Sequence, residues 1–228
     1  MKNILYIHGM GGGADSRIPR LLSEWFSTHR EQCCVLGDEV SVVCRTYDFD
    51  PETAWEQICS WVEELDPALV IGESLGSCNA LRIRLNSSKQ ALPHILVSPA
   101  LNAPVFLGYL SILTLVPGMT ALMDHIYRPR PGNRQPLHFV HSTMKKYRGL
   151  RNRALRERDE LVDAGICAFF GTRDHYRRRG IVSVRGWKKL FGEGSFVMYE
   201  GSHYMEEESV YSLLIPKILL YLQVQCTD

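Results

Sequence analysis

The sequence predicts an α/β protein with a mostly parallel central sheet and helices on both faces. Three observations carry this. Six short apolar runs of strand length, at residues 4–7, 40–44, 68–71, 94–97, 166–170 and 196–199, alternate with stretches of helical spacing. The first run empties into a glycine-rich loop, His8-Gly9-Met10-Gly11-Gly12-Gly13. The third runs into Gly72-Glu73-Ser74-Leu75-Gly76, after which a helical pattern begins.

At 228 residues the chain is long enough for one good core and falls within the range of a single domain. No export signal is expected, because Met1-Lys2-Asn3 leads into only a few apolar residues before His8. Seven cysteines are an odd number with no C-x-x-C or zinc-type spacing, and adjacent Cys33 and Cys34 cannot easily pair with each other. Reduced thiols in a cytoplasmic protein are the expectation. The net charge of +1 conceals an asymmetry: residues 1–127 carry 8 basic and 14 acidic side chains, residues 128–228 carry 18 and 11. Much of the basic excess lies between Arg128 and Arg158, a pattern read as a solvated helix face; no nucleic-acid partner is expected.

Taken in order, residues 4–7 are the first buried strand, and the glycine loop after it lets backbone approach a ligand closely. A phosphate loop is excluded because no Gly-Lys-Ser/Thr follows. Asp15 or Ser16 caps the next helix, whose apolar face is Ile18, Leu21, Leu22, Trp25 and Phe26. After the strand at 40–44, Asp50-Pro51 is a cap followed by proline at the first helical position. Trp55, Ile58, Val62 and Leu65 mark that helix's buried side. The third strand precedes the serine turn, and Leu75, Cys78, Leu81 and Leu85 continue as a helix before the strand at 94–97.

The alternation then breaks. From residue 100 to 123 there is no charge, which reaches the length of a membrane span. Gly108, Pro117 and Gly118 interrupt the run, and a span would split the sheet across a membrane, so no membrane partner is expected. An apolar helical cap over residues 103–123 is expected instead. An exposed loop through Pro129, Pro131, Gly132 and Pro136 follows, then a basic helix over about 142–164 with Gly165 as its stop. The strand at 166–170 ends in Gly171-Thr172-Arg173-Asp174-His175. The last strand ends in Glu200-Gly201-Ser202-His203-Tyr204, before a final helix at 210–222.

The G-x-S-x-G between strand and helix has a mechanical purpose. It sets Ser74 on a sharp turn, with glycines that let strand and helix pack tightly beneath it. The turn lifts the Ser74 hydroxyl above the sheet and aims the Leu75 backbone N–H at a developing oxyanion. Glu73, beside the serine, is read as a supporting group and a reserve acid. His125, His138 and His141 form no metal-ligand spacing with nearby carboxylates.

With the serine turn, the His8-Gly9 loop and the acid and histidine at later strand ends, the chain resembles the alpha/beta-hydrolases, and among them small bacterial serine esterases. The resemblance runs from Ile4 to about Leu222. It implies the alpha/beta-hydrolase fold in one domain, 1–228, with a cap or lid insertion at about 101–150. It implies Ser74 as nucleophile, Asp174 as acid and His203 as base. Met10, with Gly11 the next choice, would supply a second backbone N–H to the oxyanion, and His8 would brace the loop. Gly11, Phe106 and Leu110 are the expected substrate-binding residues. The implied activity is hydrolysis of a small-molecule ester, with thioesters and amides open to the same parts, and with no cofactor. A binding protein that kept the fold without turnover is the alternative. Asp174 could instead pair with Arg173 or with the arginines at 177–179, and His203 could be an exposed loop histidine.

Overall fold

The computed structural model describes residues 1–29, 39–83, 92–155 and 165–224. Cys33, Cys34, Leu85 and the last part of the expected basic helix, 156–164, lie outside the described residues.

Six strands form one sheet: β1 (Lys2–Ile7), β2 (Val40–Cys44), β3 (Leu69–Glu73), β4 (His94–Val97), β5 (Ile166–Gly171) and β6 (Phe196–Tyr199). All pairings are parallel, in the order β2-β1-β3-β4-β5-β6. Alternate side chains serve two cores. Leu5, Ile7, Val70, Leu96, Ala168 and Phe170 face one side; Ile4, Tyr6, Leu69, Ile71, Ile95 and Phe169 face the other. That double burial is why the strands read as continuous apolar runs rather than as alternating ones.

On the second side lie α1 (Arg17–Thr28) and the C-terminal helix. The first side is covered by α2 (Pro51–Leu65), by α3 (Gly76–Ala80) and by the segment between β4 and β5. Asp50 caps α2, accepting from the Glu52 and Thr53 N–H groups. The chain leaves β1 outward for β2 and then crosses to β3 on β1's other flank. The loops after β1 and β3 therefore part at a switch point on the carboxyl edge, where parallel sheets open a crevice.

Between β4 and β5 the chain forms α4 (Ala103–Leu110), a 3-10 turn (Leu113–Leu115), α5 (Met119–Ile126), α6 (His141–Lys146) and α7 (Leu150–Ala154). The basic stretch expected as one helix is broken by a 3-10 turn at Tyr147–Gly149. There Tyr147 is drawn inward to donate its hydroxyl to the Phe49 carbonyl at 2.6 Å, and Gly149 contributes little helical preference. After β5 come α8 (His175–Arg178) and α9 (Val184–Phe191). The apolar spacing does not announce α9, because only Trp187 and Phe191 are fully buried among exposed basic residues. Ser183 caps it by accepting from Gly186 N–H. The final helix starts earlier than its apolar face suggests, with α10 (Glu207–Ser209), wide π turns at Val210–Leu214 and then α11 (Ile215–Val224). Pro216 has no N–H and crowds the carbonyl four residues back, which is where the wide turns fall.

Candidate active site

Ser74 sits between β3 and α3 with φ of 51°, a left-handed conformation uncommon for a residue with a side chain. Its surroundings hold it there. Its N–H donates to the Val97 carbonyl (2.9 Å), and its own carbonyl accepts from Ser77 and Ala100 N–H. The flanking glycines are required by contact. A Cβ on Gly76 would lie 2.2 Å from the His8 carbonyl oxygen, and one on Gly72 would lie 2.8 Å from Ser77 Cα. Helix, elbow and first strand touch backbone to backbone.

The loops after β5 and β6 run on as a pair beyond the ladder. Thr172 N–H donates to Tyr199 O, and Arg173 N–H to Gly201 O at 2.8 Å. The Glu206 carboxylate accepts from Ser202 N–H, and Arg17 donates to the Met205 carbonyl from α1. So fixed, His203 places Nε2 2.9 Å from Ser74 Oγ and Nδ1 2.7 Å from Asp174 Oδ2. Asp174 and His203 are both 3% exposed. The second Asp174 oxygen accepts from Tyr176 N–H (2.8 Å), so the same carboxylate starts α8 and orients the imidazole. Arg173 faces Glu200, and Arg177 donates to the Gly171 and Thr172 carbonyls, which leaves Asp174 to His203. The Tyr176 ring stands edge-on to His203 with centroids 4.6 Å apart.

Across the switch point the loop after β1 faces the serine; a Cβ on Gly9 would lie 3.0 Å from Ser74 Cβ. Among the described residues, no protein group accepts from the Met10 or Leu75 N–H, whereas Gly11 N–H is bound to Gln135 Oε1 at 3.1 Å. Gln135 ties the loop in two further ways. Its N–H donates to Gly12 O and its amide nitrogen donates to the Asp48 carbonyl. Nothing in the spacing of the sequence marks Gln135; it reaches the loop only because the segment before α6 folds back over β1.

His8 is fully buried, stacked on Tyr47 at 4.1 Å, with Nδ1 2.7 Å from Gly9 O. Burial pushes its pKa down to about 4, so it is a neutral brace at neutral pH. Tyr47 donates to the His8 carbonyl (2.5 Å). Glu73 is turned to the other face of β3, where it accepts from Tyr6 OH at 2.9 Å. Burial raises its pKa, against the pull of the Tyr6 hydrogen bond and the positive charge of Arg17 and Arg134. Of the expected substrate-binding residues, Gly11 lies in the loop after β1, Phe106 is exposed and Leu110 is half-buried on α4. Among the described residues no cluster of three or more His, Cys, Asp or Glu side chains is placed to hold a metal ion.

The sequence matches no protein-family model and no curated protein. The fold does match solved structures. Est1E from Butyrivibrio proteoclasticus, solved with ferulic acid bound, superposes with a TM-score of 0.62 at 15% identity, over 97% of this chain and 90% of that one. The monoacylglycerol lipase of Paleococcus ferrophilus gives 0.59 at 17% identity, over 96% and 93%. Mouse alpha/beta hydrolase domain-containing protein 10 gives 0.56 at 15% identity, over 98% and 90%. The chain has the alpha/beta-hydrolase fold.

Proposed function

We propose that this protein is a serine hydrolase acting on carboxylic esters of small or medium acyl groups. The observation that carries the reading is the relay Ser74 Oγ to His203 Nε2 at 2.9 Å and His203 Nδ1 to Asp174 Oδ2 at 2.7 Å. A serine hydroxyl is a weak nucleophile at neutral pH and needs a base within hydrogen-bond reach. Ser74 Oγ attacks the ester carbonyl carbon as its proton passes to His203 Nε2. Asp174 holds the Nδ1–H tautomer and stabilises the imidazolium. The tetrahedral oxyanion takes hydrogen bonds from the Met10 and Leu75 N–H groups. On collapse the C–O bond breaks, the alcohol leaves with the proton from His203, and an acyl-Ser74 ester remains. Water then attacks that ester, giving its proton to His203; the carboxylic acid departs and the proton returns to Ser74 Oγ.

In this reading residues 101–150 form a cap or lid on a single domain, with Gly11, Phe106 and Leu110 bordering the acyl site. Glu73 supports the elbow through Tyr6 and is not the acid.

The test is labelling by a fluorophosphonate together with a panel of p-nitrophenyl esters graded by acyl length. Wild type should be labelled at one serine and turn over the shorter esters. Ser74→Ala should lose both properties while keeping the wild-type circular dichroism spectrum. A wild-type protein that is folded, unlabelled and inactive across the panel would be a binding protein on a hydrolase fold, and the proposal would fail.

A further inference from the structure

The segment between β4 and β5 carries two features that the proposed chemistry does not use. Ile112, Leu113, Leu115, Val116, Leu122 and Ile126 are all exposed, at 46–63% of their surface. They gather around a projecting tip: a Cβ on Gly118 would meet nothing within 4 Å. Exposed apolar side chains scattered singly need no explanation, but six within fifteen residues, on a turn and a helix packed against each other, form one exposed apolar region. The rest of the segment is strongly basic. Residues 101–155 contain eight Lys and Arg and one acid, Asp124, which is engaged by His138 and the Phe139 N–H. Arg134 is paired with Asp15 and Lys146 with Asp50 and Glu52. Arg128, Arg130, Lys145 and Arg148 are exposed with no carboxylate partner among the described residues. The Arg148 guanidinium stands 5.8 Å from the centroid of the Tyr109 ring on α4.

We propose that this tip inserts into the surface of an anionic lipid bilayer, the apolar side chains entering the acyl boundary and the arginines meeting the lipid phosphates. An apolar tip with a basic collar is complementary to that surface in both respects. Buried apolar area gives depth, and each Lys or Arg near anionic headgroups strengthens binding. The charge argues against the main rival, a second copy on the same patch. A two-fold pairing would set one strongly basic body against another. The association is peripheral: no helix among the described residues is long and apolar enough to cross a membrane. It revises the sequence-based expectation of no membrane partner, and it does not depend on the hydrolase reading.

Sedimentation with phosphatidylcholine vesicles, with and without phosphatidylglycerol, tests it on the full chain. Wild type should bind the anionic vesicles at least about tenfold more tightly than the neutral ones, and added salt should narrow that gap. The triple variant Leu113→Ser, Leu115→Ser, Val116→Ser and the double variant Arg128→Glu, Arg130→Glu should each weaken anionic binding by about tenfold or more. All replaced side chains are exposed, so the melting temperature should stay at the wild-type value. Equal binding to the two vesicle types, no binding to either, or a triple variant that binds like wild type would each overturn the proposal. So would light scattering that shows a wild-type dimer dissolved by the triple variant, because the patch would then be a self-interface.

Discussion

At the scale of single residues the site depends on side chains that never touch the reacting atoms. Gln135 holds Gly11 N–H, Gly12 O and the Asp48 carbonyl together, so it fixes the loop that carries the proposed oxyanion donor, the Met10 N–H. It acts as a positioning residue. Gln135→Ala should lower kcat for a short ester by roughly ten- to a hundredfold, less than loss of an oxyanion donor itself. KM should change little, and the rate of fluorophosphonate labelling should fall in parallel with kcat. If KM rises while kcat is retained, Gln135 serves substrate binding instead. The relay members should behave differently. Ser74→Ala and His203→Ala should each cost several orders of magnitude, and Asp174→Asn about 10⁴-fold through loss of the correct tautomer. The double variant should cost little more than the worse single one, because the groups act as a unit. Steady-state kinetics on purified single and double variants check this, and additive losses would mean that the three residues work independently.

Among the elements, α2 shows how one side chain serves two structures. Asp50 caps the helix through Oδ1, while its Oδ2 accepts from Lys146 of α6 at 2.7 Å. The cap is the larger effect. Asp50→Ala should cost about 1–2 kcal/mol in urea unfolding. Lys146→Met should cost clearly less than that, since its side chain is 36% exposed and the pair is screened by solvent. If Lys146→Met proves as damaging as Asp50→Ala, the anchoring of α6 and not the cap is what Asp50 provides. The basic segment teaches a related lesson. A charge run reads as one solvated helix, yet Met144, Tyr147 and Leu150 are buried, and the turn at Tyr147–Gly149 is what brings them to one side.

For the whole molecule, two buried histidines set a response to acid. His8 and His94 each have pKa values pushed down to about 4 by burial, from 6.5 in the unfolded chain. Between those values the unfolded state binds protons that the folded state does not. Stability is therefore full above pH 6.5, falls as the pH drops toward about 4, and gains no further loss from these groups below that. Each shift withdraws on the order of 3 kcal/mol across the window. His94→Gln should remove one proton from the slope of unfolding free energy against pH over this range. Urea titrations at a series of pH values measure that slope, and an unchanged slope would show that His94 is charged or exposed when folded.

The sequence by itself determined the strands and the class of fold, and it singled out Ser74, Asp174 and His203 as the residues to propose for the site. It could do so because these are local signals: a strand buried on both faces must be apolar throughout, and a serine on a sharp turn needs its glycines at fixed offsets. The order of Ser74, Asp174 and His203 at three strand ends was legible for the same reason. What tertiary structure decided has no local trace. Only the crossing of β1 and β3 sets Gly9 against Ser74, and only the pairing of the loops after β5 and β6 turns His203 toward Asp174 rather than leaving that carboxylate to the neighbouring arginines. Gln135 reaches Gly11 across 124 residues, and Tyr47 reaches His8 across 39. Likewise the uncharged run at 100–123 gave no sign of which side chains it buries. Leu107 and Met123 turn into the core while Leu115 and Ile126 stay outside, a division made by what α4 and α5 pack against.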